Sequence, residues 1–123
     1  MRMTPYLTLQ GARAALDFYR AALGATLVGE PIVMDDGRIG HAEFEVEGER
    51  FYLAEAHPEI HAVAPSAEGS PVSLHLEVDD VPAWTRRFAA AGGTVDREPE
   101  RGPHGMGATV RDPFGHRWLF HSQ

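Results

Sequence analysis

An α+β fold built from two βαβββ modules is the architecture this sequence predicts, and three observations carry the prediction. Two stretches of helical periodicity, each closed by glycine, are both flanked by short alternating segments. A stretch without sustained pattern, Ala56 to Ser70, separates them. The two halves also match each other. Leu23-Gly24-Ala25-Thr26 aligns with Ala91-Gly92-Gly93-Thr94, which sets Pro31 opposite Pro99, and Gly48 to Leu53 aligns with Gly115 to Phe120 after a register shift of one. At 123 residues the chain has room for a single domain. Module one is expected over residues 4–55, a linker over 56–70 and module two over 71–123.

In chain order, Tyr6 to Leu9 alternates and reads as a strand. Gly11 to Leu23 places Ala15, Phe18 and Ala22, and Leu16, Tyr19 and Leu23, at helical spacing, and Gly24 ends that helix. Ala25 to Met34 is strand-like with a break near Gly29 and Pro31. Asp36-Gly37 is a strong hairpin turn and Glu47-Gly48 a weaker one, leaving strands over His41 to Val46 and Arg50 to Glu55. After the linker, Val72 to Val78 is a strand with Leu74, Leu76 and Val78 on one face. Asp79 or Asp80 caps a helix with Pro82 in its first turn, a stripe of Val81, Trp84, Phe88 and Ala91, and a stop at Gly92-Gly93. Strands around Thr94 to Glu98, Gly105 to Arg111 and His116 to His121 complete the second module.

Composition narrows the function. Lys and Arg number 11 against 18 Asp and Glu, a net charge of −7, which argues against nucleic acid or an anionic membrane as partner. The absence of cysteine removes a disulfide framework, a thiolate metal site and a cysteine nucleophile. No apolar run has the length of a membrane span or the form of a signal peptide, so a cytoplasmic protein is expected.

Asp17-Phe18-Tyr19-Arg20 followed by Leu23-Gly24, Leu76 to Val81, and the ending Asp112-Pro113-Phe114-Gly115-His116-Arg117-Trp118 together carry a family resemblance. With two βαβββ halves, the sequence resembles the vicinal oxygen chelate superfamily of glyoxalase I, bleomycin-resistance proteins and extradiol dioxygenases. The ending is most similar to the PhnB-like branch. The resemblance implies curled mixed sheets around a cavity, with the helices outside. It also implies four metal-ligand positions in metal-dependent members, which fall here at Thr4 (or Pro5, if the loop differs by a residue), Tyr52, Ser73 and Leu119. None is a usual ligand for Zn, Ni or Fe. No metal and no cofactor is therefore expected at those positions, which puts glyoxalase and dioxygenase chemistry in doubt.

Residues two apart on a strand share a face, so the cavity wall is expected to include Tyr6, Thr8, Arg50, Tyr52, Ser73, His75, Glu77, Arg117 and Leu119. Ala42, Phe44 and Val46 suit the core, which turns His41 and Glu43 inward. Leu7, Leu9, Phe51, Leu53, Leu74, Leu76, Trp118 and Phe120 are expected to face the helices. His41, Glu43 and His75 read as an acid/base cluster, as a displaced metal site, or as a solvated face paired with Arg38 or Arg50.

Four weaker signals remain. His57 and His61 lie four apart but straddle Pro58, which spoils helical metal spacing. His116 reads as a turn residue, and Arg97, Glu98, Glu100 and Arg101 as a solvated edge. Gly102 to Gly107 reads as a mobile flap and lacks the Lys and Ser/Thr of a phosphate loop. Two function classes follow: a metal-free protein that binds or sequesters a small organic molecule, and a lyase, isomerase or dioxygenase of the same superfamily. A homodimer is expected, since open sheet edges need cover.

Overall fold

The computed structural model describes residues 1–123. Strand β1 (Tyr6–Leu9) leads into helix α1 (Ala12–Leu23), and the short strands β2 (Thr26–Leu27) and β3 (Ile32–Val33) follow. Two long strands, β4 (Ile39–Val46) and β5 (Glu49–Glu55), complete the first half. The second half runs β6 (Ser73–Glu77), α2 (Val81–Ala90), β7 (Thr94–Gly102), β8 (Gly105–Arg111) and β9 (Arg117–Ser122). Both halves are βα units followed by strands, an α+β architecture with two mixed sheets. The chain divides into two units, Met1–Arg20 with Gly24–Ala64 and Ala21–Leu23 with Pro65–Gln123.

The first sheet is ordered β1-β5-β4-β2, with β3 also pairing β4. Strand β1 runs parallel to β5, Tyr6 opposite Tyr52 and Leu7 opposite Leu53. That register sorts the faces. Leu7, Leu9, Ala42, Phe44, Val46, Phe51 and Leu53 are all buried. Tyr19 of α1 stacks on Phe44 at 5.4 Å between ring centroids, and Phe44 stacks on Phe51 at 5.5 Å. The β4–β5 hairpin turns at Glu47 and Gly48, both with positive φ, the backbone that a two-residue turn with the right twist requires. Helix α1 begins at Gly11, whose lack of a side chain leaves the first turn without a local cap. Glu55, at the end of β5, supplies one: its carboxylate accepts from the Gly11 N–H at 2.7 Å and the Ala12 N–H at 3.2 Å.

The second sheet is ordered β6-β9-β8-β7, with β6 and β9 parallel. Trp84 and Phe88 of α2 meet Phe120 at 5.8 and 5.7 Å, above buried Trp118, Val110 and Ala108. Asp80, of the two expected candidates, caps α2 by accepting from the Ala83 N–H at 3.1 Å. A Cβ at Gly93 would run into the Phe88 ring, which is why the stop signal there is glycine.

The Asp112-Pro113-Phe114-Gly115 segment is a turn organised by one carboxylate. Asp112 is 5% exposed. One of its oxygens accepts from the Phe114 and His116 N–H groups at 3.0 and 2.9 Å, and the other from the indole N–H of Trp118 at 2.9 Å. The motif thus sets the turn and anchors the largest core residue of the last strand.

Four details are added or changed by the structure. Gly102 to Gly107 forms a tight hairpin: β7 continues to Gly102, which pairs with Gly105, so only Pro103 and His104 lie outside the ladder. β7 extends past the expected Glu98 and through Pro99, which an edge strand whose register slips between Arg97 and Glu100 accommodates. Within residues 56–70, a 3-10 turn over Pro58–Ile60 is closed by a His57–Ala62 bridge. Leu74 and Leu76, expected to pack against the helices, are only half-buried. Arg97, Glu98, Glu100 and Arg101 are exposed on β7 as expected.

Candidate functional site

On the first sheet, the face opposite the core gathers three rings. Alternation along β1, β4 and β5 brings up Tyr6, His41 and Tyr52, and the pairing of Tyr52 with both Tyr6 and Glu43 sets them side by side. Their centroids lie 5.3 Å apart for Tyr6–His41, 5.5 Å for Tyr6–Tyr52 and 5.0 Å for His41–Tyr52, each edge to face. The Tyr6 hydroxyl lies 2.6 Å from His41 Nδ1. On the other side of the imidazole, Nε2 is 3.5 Å from a Glu43 oxygen. Burial pushes the Tyr6 phenol above its usual range, with help from the negative charge of Glu43, so Tyr6 is a hydrogen-bond donor at neutral pH. Tyr6 is nevertheless 51% exposed, so its ring offers apolar surface to solvent.

A charge clamp borders the rings. Arg50 donates to Glu45 at 2.7 Å and to Glu43 at 3.0 Å, and these two carboxylates hold the guanidinium above its ordinary pKa. Of the partners expected for Glu43, Arg50 is the one found, whereas Arg38 turns to Asp36 at 2.7 Å. Thr8 lies one step along the same face, half-buried. Arg50 and Glu45 also line an open cleft of about 310 Å³ with Arg2, Thr4 and Glu49.

His75 belongs to the second sheet, so the expected trio is split: His41 and Glu43 share the first sheet, and His75 stands with Glu77 and His121. Parallel pairing sets His75 opposite Leu119 and Glu77 opposite His121. His121 Nδ1 lies 2.9 and 3.0 Å from the two Glu77 oxygens, and its Nε2 donates to the His104 carbonyl at 2.8 Å. Glu77 foremost, then the His104 carbonyl, raise the His121 pKa. His75 Nε2 is 3.7 Å from Glu77. His121 was not among the expected site residues. The signal for it was the alternation already in use, since it lies two residues beyond Leu119 on one strand.

The four positions where metal ligands are implied do not fit a metal. Leu119 has no donor atom, and the Ser73 hydroxyl accepts from Arg117 at 2.6 Å. Tyr52 is engaged edge to face by Tyr6 and His41, and Thr4 precedes β1. His57 and His61 flank the 3-10 turn at its two ends.

The profile of the Glyoxalase/Bleomycin resistance protein/Dioxygenase superfamily matches residues 7–120. An uncharacterized protein of Mycobacterium bovis is 35% identical over 121 residues, covering 94% of this chain and 79% of that protein. Among solved structures, hypothetical protein SA1046 of S. aureus aligns with a TM-score of 0.80 at 22% identity, covering 100% of this chain and 94% of the other. A PhnB protein of Bacillus cereus, described as a putative 3-demethylubiquinone-9 3-methyltransferase, aligns with a TM-score of 0.73 at 17% identity, over 100% of both chains. At such identities the structural matches speak for the fold. The two parallel-paired βα sheets and the profile match across nearly the whole sequence agree: the chain belongs to the glyoxalase/bleomycin resistance/dioxygenase superfamily.

Proposed function

We propose that this protein binds a small organic molecule on the Tyr6–His41–Tyr52 face of its first sheet, without a metal at the superfamily's usual ligand positions. The observation that supports this most is the three-ring cluster, edge to face and partly open to solvent, on the side of the sheet away from the core. Aromatic surface beside a hydroxyl and an imidazole suits a partly aromatic or amphipathic ligand. Glu43 and Arg50 add one charge of each sign at its border. Thr8 extends the same face, and Ser73, His75, Arg117 and Leu119 form the corresponding polar face of the second sheet. The reading includes a cytoplasmic homodimer; no helix is long and apolar enough to cross a membrane.

The test is a thermal-shift screen of small aromatic and amphipathic compounds. A ligand at about 100 times its dissociation constant stabilises the folded state by roughly 2.7 kcal/mol. That corresponds to a rise on the order of 10 °C in a domain of this size. Tyr52→Ala should abolish the shift while leaving the unliganded melting point within a few degrees. If Tyr52→Ala binds every hit as the parent does, the assignment of this face is wrong.

A second reading has one specific observation behind it. Tyr6, His41 and Glu43 are strung together as hydroxyl, imidazole and carboxylate, the order of an acid/base relay. With the phenol at Nδ1, His41 presents its Nε2 side to Glu43. His41→Gln separates the readings: it removes proton transfer and keeps ligand binding if the face is only a binding surface.

A further inference from the structure

We propose that His75, Glu77 and His121 form a site for one divalent cation of borderline character, such as Zn²⁺, on the second sheet. The site uses none of the four positions that carry the metal in metal-dependent relatives. It is displaced two residues along each strand, from Ser73 to His75 on β6 and from Leu119 to His121 on β9. A two-residue step keeps a side chain on its original face.

The geometry is that of a metal site. One donor atom from each of the three residues lies within 4.8 Å of the other two. His121 Nδ1 is 2.9 Å from a Glu77 oxygen, and His75 Nε2 is 3.7 Å from the same oxygen. Tetrahedral donors bound at the usual Zn–N and Zn–O lengths stand roughly 3.3 Å apart, and the two His–Glu77 separations bracket that spacing. Two imidazoles and one carboxylate suit Zn²⁺, Co²⁺, Ni²⁺ or Fe²⁺ over Mg²⁺ or Ca²⁺, which prefer oxygen alone.

The outer shell is in place as well. His121 Nε2 donates to the His104 carbonyl, which fixes the ring and points Nδ1 at Glu77. The Pro103-His104 hairpin supplies that carbonyl, and Gly105 is needed for it: φ there is 118°, and a Cβ would meet the Ser122 carbonyl and crowd His121 Nε2. Gly107, the β8 partner of His121, has no side chain to stand beside the ring. The side chains of His75 and Glu77 are 49% and 59% exposed, so the remaining coordination positions open to water or to an oxygen donor.

The inference stands apart from the aromatic face of the first sheet, and its test is separate. Titrate the metal-free protein with Zn²⁺ by calorimetry and with Co²⁺ by visible absorption. One equivalent should bind, with a d–d band for Co²⁺ typical of nitrogen and oxygen ligands. His75→Ala and His121→Ala should each weaken binding by at least about tenfold, whereas Tyr52→Ala and the exposed His61→Ala should leave it unchanged. Imidazole resonances of the parent protein give a readout free of folding effects: Zn²⁺ should shift His75 and His121 and leave the other five histidines in place. Absence of saturable binding overturns the proposal. So does binding that survives in both histidine variants, or Zn²⁺ shifts confined to other histidines.

Discussion

Replacing Asp112 by asparagine changes one atom in a buried carboxylate that serves three donors. The two backbone N–H groups of Phe114 and His116 share one oxygen, and the Trp118 indole N–H takes the other. An asparagine has a single acceptor. If that oxygen serves the turn, its NH₂ faces the indole N–H, donor against donor; if it flips, two backbone donors lose their partner instead. The better orientation forfeits one hydrogen bond to a charged acceptor and strands a buried donor on Trp118, which is 0% exposed. Losses of this kind are worth about 1.5–3 kcal/mol for the bond and about 1–3 for the stranded group, and they overlap, so about 3 kcal/mol is expected. Urea unfolding of parent and variant measures it as a lower midpoint at unchanged slope. Trp118→Phe combined with Asp112→Asn removes the stranded donor, so the double variant should be less unstable than the sum of the singles by about 1 kcal/mol. A loss below about 0.5 kcal/mol, within the range of ordinary surface changes, or strictly additive effects would refute the view that this carboxylate holds the turn to the core.

The remaining predictions concern other parts of the molecule. Glu55→Ala removes the only side-chain cap found for α1 and should cost about 1–2 kcal/mol in urea unfolding, with Glu55→Gln recovering part of it. Asp96, held below the usual carboxylate range by Arg111 at 2.6 Å, stabilises the fold at pH above its unfolded value, and that contribution disappears as pH falls through the lowered one. The pair is exposed, so Asp96→Asn should be mildly destabilising at pH 7 in low salt and indistinguishable from the parent near about pH 2 or in about 1 M salt. Light scattering coupled to size exclusion should give twice the 13.5 kDa of one chain; a mass near 13.5 kDa removes the homodimer.

Local chemistry made much of this fold legible. Tyr6 to Leu9 alternates cleanly, Gly24 takes the left-handed backbone that ends α1, and Glu47-Gly48 forms the hairpin its residues require. Failures came where a neighbour overrules a local rule. Pro99 and Gly102 look like breakers, yet an edge strand with a slipped register accommodates both. The hairpin at Gly102–Gly105 is not legible locally because the bond from His121 to His104 at its tip joins residues far apart in sequence. Glu55 could not be read as the cap of α1 for the same reason. For the candidate site, alternation sorted Tyr6, His41 and Tyr52 to one face, while only strand register shows that Tyr52 stands opposite both Tyr6 and Glu43. The split of His41 and Glu43 from His75 follows from sheet membership, which periodicity does not encode.

Strand order has a consequence for how the chain assembles. In each unit the last strand to be made, β5 or β9, is inserted between earlier ones: β5 between β1 and β4, β9 between β6 and β8. Until it arrives, the first strand of the unit has no backbone partner, and the helix that follows it has only part of a surface to cover. Closure of each sheet therefore joins the beginning of the unit to its end in one late step, with the slow kinetics of distant pairing. As synthesis proceeds from the N-terminus, the first unit has all its strands once residue 55 has emerged, before any strand of the second exists. The polar–aromatic face of the first sheet is thus finished before any member of the His75–Glu77–His121 group has emerged.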